Sequence, residues 1–477
     1  MTLKPNYQLI LIKIRNMKKL SILTAILSIA ILSGCVKELK PSDSPGNNNV
    51  TSAKPAPPPP PASILQWQKT YGSPLNELGF AITRAADGNG YVFTASALGN
   101  GGDITGYHGG TGADAWVVRT DESGAILWQK SFGGTKSEYA DDIITTADGG
   151  YVFAASTQSG DGDVPGNHGG WDVWIVKLDA SGTLVWSKTF GGSADDLNDL
   201  HRNCIVQTDD GGFLFAGYTG SNDGDVAGTN HGGNDAWVLR LDINGNLVWQ
   251  KTYGGTLSEN GNSVVKTADG NYMICGNAGS INGDLAGQPN HGGADAWLFK
   301  INDAGDPLWQ KTLGGSQNDI WRGVLQAPDG GYVLSGASAS NDGDISGNQR
   351  YADTWVTKIN TSGSIAWQKF FGGADVDQAG VRNVDASGNI LLTGYTQSKN
   401  GDITGAKGSS DLWVLQLDPN GSKLNSLVFG GKSEDNSEDA VVNPDGSFTS
   451  IGRTSSTNGD VTSNHGLLDA WIVKFKF

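Results

Sequence analysis

Tryptophan recurring at a fixed period, strand-type residues set between glycine-rich turns, and ends that complete each other predict an all-β fold from this sequence: a seven-bladed β-propeller with four antiparallel strands per blade. One tryptophan series is Trp67, Trp128, Trp186, Trp249, Trp309 and Trp367, spaced 58 to 63 residues apart, with Asn425 in the seventh place. The other is Asp-x-Trp, at Trp116, Trp174, Trp237, Trp297, Trp355, Trp413 and Trp471. Thirteen of the 15 tryptophans belong to these series, and self-similarity at such a period marks a repeat architecture. Composition agrees, because 70 glycines in 477 residues with only 17% charge suit short strands and tight turns better than long helices.

The copy that starts at residue 205 shows the elements in order. Strand A is "IVQT", the turn "DDGG" leads to strand B, "FLFAGYT", a long loop leads to strand C, "AWVLRLD", and "INGN" leads to strand D, "LVWQKTY". β-Branched and aromatic residues fill the strands, while Asp-Gly and Asn-Gly pairs supply the turns. The repeat region begins with a D-type strand, "ILQWQKTYG", and stops after a C-type strand, "DAWIVKFKF". Pairing residues 64–71 with the last blade closes the ring and leaves few exposed edges, so a monomer is expected; an open solenoid would leave two edges bare.

Three domains are expected: 1–34 as a signal peptide, 35–63 as a tether, and 64–477 as the propeller. Lys18 and Lys19 precede an apolar core, Leu20 to Leu32, too short to span a bilayer as an ordinary helix, and Leu32-Ser33-Gly34-Cys35 closes it. This segment resembles a bacterial lipoprotein signal peptide with its lipobox. That resemblance implies lipidation at Cys35, a start at Met17, and a cell-envelope location, in the outer membrane and facing the periplasm or the surface. The following segment lacks hydrophobic periodicity and ends in Pro57–Pro61, a semi-extended spacer of at most roughly 90 Å at ~3.1 Å per residue. Loss of residues 1–34 removes five basic residues and no acid, moving the net charge from −16 to −21. Such a balance disfavours nucleic acid and anionic headgroups and leaves membrane attachment to acyl chains. Cys204 and Cys275 fall where other copies carry Ala, Ser or Gly; they read as small buried residues, with an inter-repeat disulfide as the alternative.

The C-to-D hairpin, as in "KLDASGTLVW" (177–186), resembles the Asp-x-x-x-Gly-x-x-x-Trp docking motif of quinoprotein alcohol dehydrogenase-like propellers, one residue shorter here. The resemblance concerns the fold. Those dehydrogenases also use adjacent cysteines and a calcium site; this chain has no Cys-Cys pair, so PQQ is not expected. The whole repeat is also similar to the roughly 60-residue repeats of bacterial surface lipoproteins.

Because strands alternate in direction, the long B-to-C loops and the D-to-A crossings share one face. Each B-to-C loop carries an aspartate after glycine (Asp103, Asp163, Asp225, Asp284, Asp344, Asp402, Asp460) and another where strand C begins (Asp114, Asp172, Asp235, Asp295, Asp353, Asp411, Asp469). Each crossing adds a third acid: Glu77, Glu138, Asp196, Glu259, Asp319, Asp377 or Asp435. Two accounts compete. Calcium wants six to eight oxygens, which the loop acids, with Asp223, could help supply; alternatively the aspartates accept amide hydrogen bonds in glycine-rich turns. His108, His168, His231, His291 and His465 lie in the same loops and predict a His-to-Asp hydrogen bond like that inside WD-repeat blades. Arg350 and Lys407 take that region in the other two blades.

Trp171 and Trp321 stand outside both series, and with Tyr107 and Tyr351 they are the aromatics expected to stack on a sugar or grip a partner. No Gly-x-Ser-x-Gly, phosphate loop, His-Glu-x-x-His or cysteine metal spacing occurs. The sequence therefore favours a non-catalytic binding or scaffolding propeller for a glycan or protein ligand. A glycosidase or lyase using acids of the long-loop face and a calcium-stabilised adhesin-like module are the alternatives.

Overall fold

A computed structural model describes residues 64–198, 203–226, 230–348 and 353–477; Cys35, the proline-rich spacer, Arg350 and Tyr351 lie outside the described residues. Among the described residues, twenty-nine strands form seven antiparallel sheets. Blade one comprises strand A (Gly79–Arg84), B (Tyr91–Ala97), C (Asp114–Thr120) and D (Ile126–Phe132), and the next five blades repeat this order. In blade three the described residues of strand A are Asp196–Leu197 and Ile205–Gln207, both paired with strand B. Each strand A touches strand A of the next blade, and that of blade seven (Asp435–Val442) touches that of blade one. The A strands therefore surround the axis.

Blade seven is assembled from both ends of the repeat region. Its strand D, Ile64–Tyr71, pairs antiparallel with strand C, Asp469–Lys476, from Ile64 opposite Lys476 to Tyr71 opposite Ala470. The expected closure is thus the observed one, and it satisfies backbone groups that an open array would expose.

Two tryptophan roles hold the blades. In strand C the indole lies opposite a small strand-B residue, such as Ala95 for Trp116 and Gly217 for Trp237. All seven strand-C tryptophans are essentially inaccessible. Each Nε1–H is satisfied by strand D, from Trp116 to Gln129 Oε1 at 2.7 Å through Trp174 to Ser187 Oγ at 2.8 Å to Trp471 to Gln68 Oε1 at 2.8 Å. A buried indole without that acceptor would lose a hydrogen bond with nothing in return.

Strand-D tryptophans instead reach into the following blade. A Cβ on Gly182 would sit 2.8 Å from the Trp128 ring, and the same holds for Gly245 against Trp186. These C-to-D turn glycines have positive φ, 75° and 76°, so conformation and close approach both require glycine there. Blade seven has no such turn, because its C and D strands come from opposite ends of the chain. The preceding blade accordingly carries Asn425 instead of tryptophan, bonded to Gln416 Oε1 at 2.7 Å.

Cys204 and Cys275 are buried free thiols in separate core clusters, so the disulfide alternative is not formed.

Candidate functional site

All three acid series lie along the long-loop face, and their hydrogen bonds fix the junctions between blades. At each junction the loop aspartate N–H donates to the first residue of the crossing, from Asp103 to Gly72 O at 2.9 Å to Asp460 to Gly430 O at 3.0 Å. In six junctions its carboxylate also accepts that glycine's N–H, at 2.9–3.3 Å. The strand-A acid accepts the next amide, as from Gly134 to Glu138 Oε2 at 3.0 Å and from Gly373 to Asp377 Oδ2 at 2.6 Å. Hydroxyls at the end of strand B complete its shell: Thr219 and Ser221 on Asp196, Thr396 and Ser398 on Asp377, Thr454 and Ser456 on Asp435. That Thr-x-Ser pattern was legible in the sequence and was not singled out there.

The strand-C acid ties down the loop. Asp114 Oδ2 accepts the N–H of His108 at 2.8 Å and lies 2.7 Å from its Nδ1, and His168, His231, His291 and His465 make the same Nδ1 contact at 2.6–3.0 Å. The expected His-to-Asp link is present in all five. His108 Nε2 also lies 3.2 Å from Asp163 Oδ2, which belongs to the next blade. Lys407 reproduces both ends of this bridge, its N–H on Asp411 Oδ2 at 2.6 Å and its ammonium on Asp460.

Behind each histidine the acids meet in pairs. Asp114 and Glu138 are both 0% exposed, and a Cβ on Gly133 would fall 2.5 Å from Glu138 Oε2 and 3.1 Å from Asp114 Oδ1. Glycine is required there for space, not for φ. Burial raises the carboxyls of Asp114 and Glu138 above the ordinary range, with the Asp114 charge adding to the effect on Glu138. Asp411 and Asp435 repeat the arrangement beside Gly430. Fourteen of the 21 acids expected along one rim are therefore buried and internally bonded, and the display of charge is much smaller than their number implies.

The loop aspartates named for calcium each hold backbone groups of the crossing. Asp223 Oδ1 accepts the Ser193 N–H at 2.7 Å, while Asp225 Oδ2 accepts that of Gly191 at 3.1 Å. Asp103, Asp163, Asp284, Asp402 and Asp460 are engaged as Asp225 is, and the N–H of Asp344 holds Gly314. Among the described residues no three His, Cys, Asp or Glu side chains converge as metal ligands.

The aromatic candidates separate. Trp321 is 0% exposed and stacks on Trp355 at 5.3 Å and 18°, so it is a core residue with no face open to a ligand. The sequence placed it near the crossing, but as the third residue of strand A, Asp319–Gln326, it turns inward. Tyr107 is half-buried, its hydroxyl donating to Gly112 O at 2.7 Å and bracing its own loop. Trp171 is half-buried on the long-loop face, its ring 5.7 Å from that of Tyr139, which in turn meets Phe80 edge-on at 6.2 Å. Tyr139 had no sequence signal, since it sits in an ordinary strand-A position.

No protein-family model matches the chain. A curated relative, "Regulatory protein FlaEY" of Caulobacter vibrioides, is 28% identical over 217 residues, 42% of this chain and 22% of that protein. The chain thus spans about a fifth of that relative's length. Among solved structures it is similar to Kuenenia stuttgartiensis hydrazine synthase (13% identity, 78% of this chain and 92% of that one, TM-score 0.47). It is also similar to Sqt1 from Chaetomium thermophilum (14% identity, 83% and 86%, TM-score 0.42). The propeller architecture rests on the strand pairing itself, and no activity is carried over from these likenesses.

Proposed function

We propose that this protein is a non-catalytic binding module of the bacterial cell envelope, anchored through a lipid on Cys35 and holding a glycan or protein ligand on its long-loop face. The observation that carries the reading is a break in sevenfold symmetry there. Where other blades place Ala113, Asn234, Ala294, Ser410 or Leu468 just before strand C, blade two places Trp171, supported by the Tyr139 ring. A braced, half-buried indole offers apolar area with little rotamer freedom left to lose on binding. The repeated acids, by contrast, are structural, and a buried Asp114/Glu138 pair has no route to a substrate's glycosidic bond.

Retention on a polysaccharide and glycan panel tests the reading. Trp171→Ala and Tyr139→Ala are expected to weaken retention about tenfold or more, in line with the 2 kcal/mol or so that an aromatic anchor contributes. Unchanged retention in both variants removes the platform from the site. Release of reducing ends from the same panel would favour the glycosidase alternative. Cys35→Ser is expected to move the protein from the membrane fraction to the soluble one.

A further inference from the structure

A second departure from symmetry lies on the same face, between blades six and seven. There a cavity of about 260 Å³ opens between Tyr395, Gln397, Ser409 and Ser410 of one blade and Glu434, Asn436 and Arg453 of the next. The strand-B position of Arg453 is occupied in the other blades by Ser96, Ser156, Tyr218, Asn277, Ala337 and Tyr395, so at this position a guanidinium occurs once. Ser410 holds the place that Trp171 has in blade two, and its small side chain leaves the slot open.

Arg453 is already committed. Its guanidinium meets Glu434 Oε1 at 3.0 Å and Glu438 Oε1 at 3.5 Å, and Asn436 Nδ2 donates to Glu438 Oε1 at 3.0 Å. One cation between two carboxylates leaves the cluster with one negative charge, which disfavours an anion, as does the chain's overall −16. Hydroxyls and amides, groups that donate and accept alike, make up the rest of the lining; Ser410 Oγ donates to Asp435 O at 3.4 Å and Asn436 Oδ1 accepts the Arg453 N–H at 3.0 Å, so the exposed Ser409 and Gln397 carry the contact with a ligand. That chemistry matches a neutral polyhydroxylated ring, whose own hydroxyls are also donors and acceptors, and the volume is below the ~300–1,000 Å³ of drug-sized sites.

We infer that this slot is a saccharide subsite that takes one uncharged sugar residue. The inference rests on the glycan version of the proposed function and adds a site distinct from the Trp171 platform. The Glu434–Arg453–Glu438 bridge positions the wall; Ser409 and Gln397, both exposed at the rim, set access.

The test is titration calorimetry of the folded propeller with glucose, galactose, mannose, N-acetylglucosamine, cellobiose, galacturonic acid and glucosamine. At least one neutral probe is expected to bind, with Ser409→Tyr, which fills the mouth from an exposed position, and Arg453→Leu each weakening it at least about tenfold. Ser409→Tyr should melt as the unsubstituted protein does, so a lost signal cannot be ascribed to unfolding. Absence of binding by every neutral probe, tighter binding of galacturonic acid or glucosamine, or hydrolysis of cellobiose overturns the inference. If Ser409→Tyr leaves saccharide binding intact while Trp171→Ala removes it, the slot is wrong and the proposed function stands. If Trp171→Ala and Tyr139→Ala leave polysaccharide retention intact while Ser409→Tyr abolishes saccharide binding, the slot stands and the platform falls.

Discussion

Glycine in this chain is often a matter of room between oxygens. Gly133→Ala places a methyl group 2.5 Å from Glu138 Oε2 within a buried shell, and a loss of about 1–3 kcal/mol in urea unfolding is expected from such overpacking. Asp142 supplies the sharpest pH dependence. It faces the strand-A segment of blade three, where Oδ2 accepts the Ile205 N–H at 3.2 Å, and Oδ1 accepts its neighbour Ile143 N–H at 2.9 Å. Burial, reinforced by the Asp439 charge and opposed by these amides, pushes its carboxyl up to about 7. A folded value above the unfolded one means that this group's contribution is complete below about pH 4 and declines as pH rises towards 7. Stability is therefore expected to fall by roughly 1–4 kcal/mol between pH 5 and 8, and Asp142→Asn to flatten that fall. Asp148 and Asp210 are held down to about 2; they titrate below the window and do not confuse it.

At the scale of elements, the strand-D tryptophans work as pegs set into the next blade's turn. Trp128→Ala is expected to lower the melting temperature, with a cost of about 3 kcal/mol, since the ring packs on Gly182 and on Tyr151 at 6.3 Å. Asn425→Trp is expected to add nothing, because blade seven offers no turn to receive the ring. The strands, their order and the two tryptophan series were legible in the sequence because period and turn chemistry are local. The His-to-Asp links were legible because one residue of each pair repeats at near-constant spacing from the other. Trp321 was misplaced because a single strand position separates an inward ring from an outward one, and strand A begins in a crossing whose register the sequence does not mark. The Arg453 slot was invisible for a different reason, since its lining comes from two blades and its character lies in departures from the repeat.

For the whole molecule, the pairing of Ile64–Tyr71 with Asp469–Lys476 decides between a closed ring and an open stack. Deleting residues 64–71 leaves blade seven with three strands and Trp471 without Gln68 as acceptor. Such a variant is expected to self-associate in size-exclusion chromatography with light scattering, through the bare edge of strand C. Joining residue 477 to residue 64 and opening the chain at the exposed Gly88 turn, which no ring packs against, is expected instead to preserve the melting transition, since every blade keeps its four strands.

That same pairing also sets when the protein can finish folding. Its two partners lie about 400 residues apart, and contacts so distant in sequence form late because the intervening chain must first be ordered. Six blades can assemble from neighbouring segments, but the seventh waits for the last strand to be delivered. A chain passed through a secretion pore N-terminus first would thus remain unlatched during transit and lock only once its final segment had emerged.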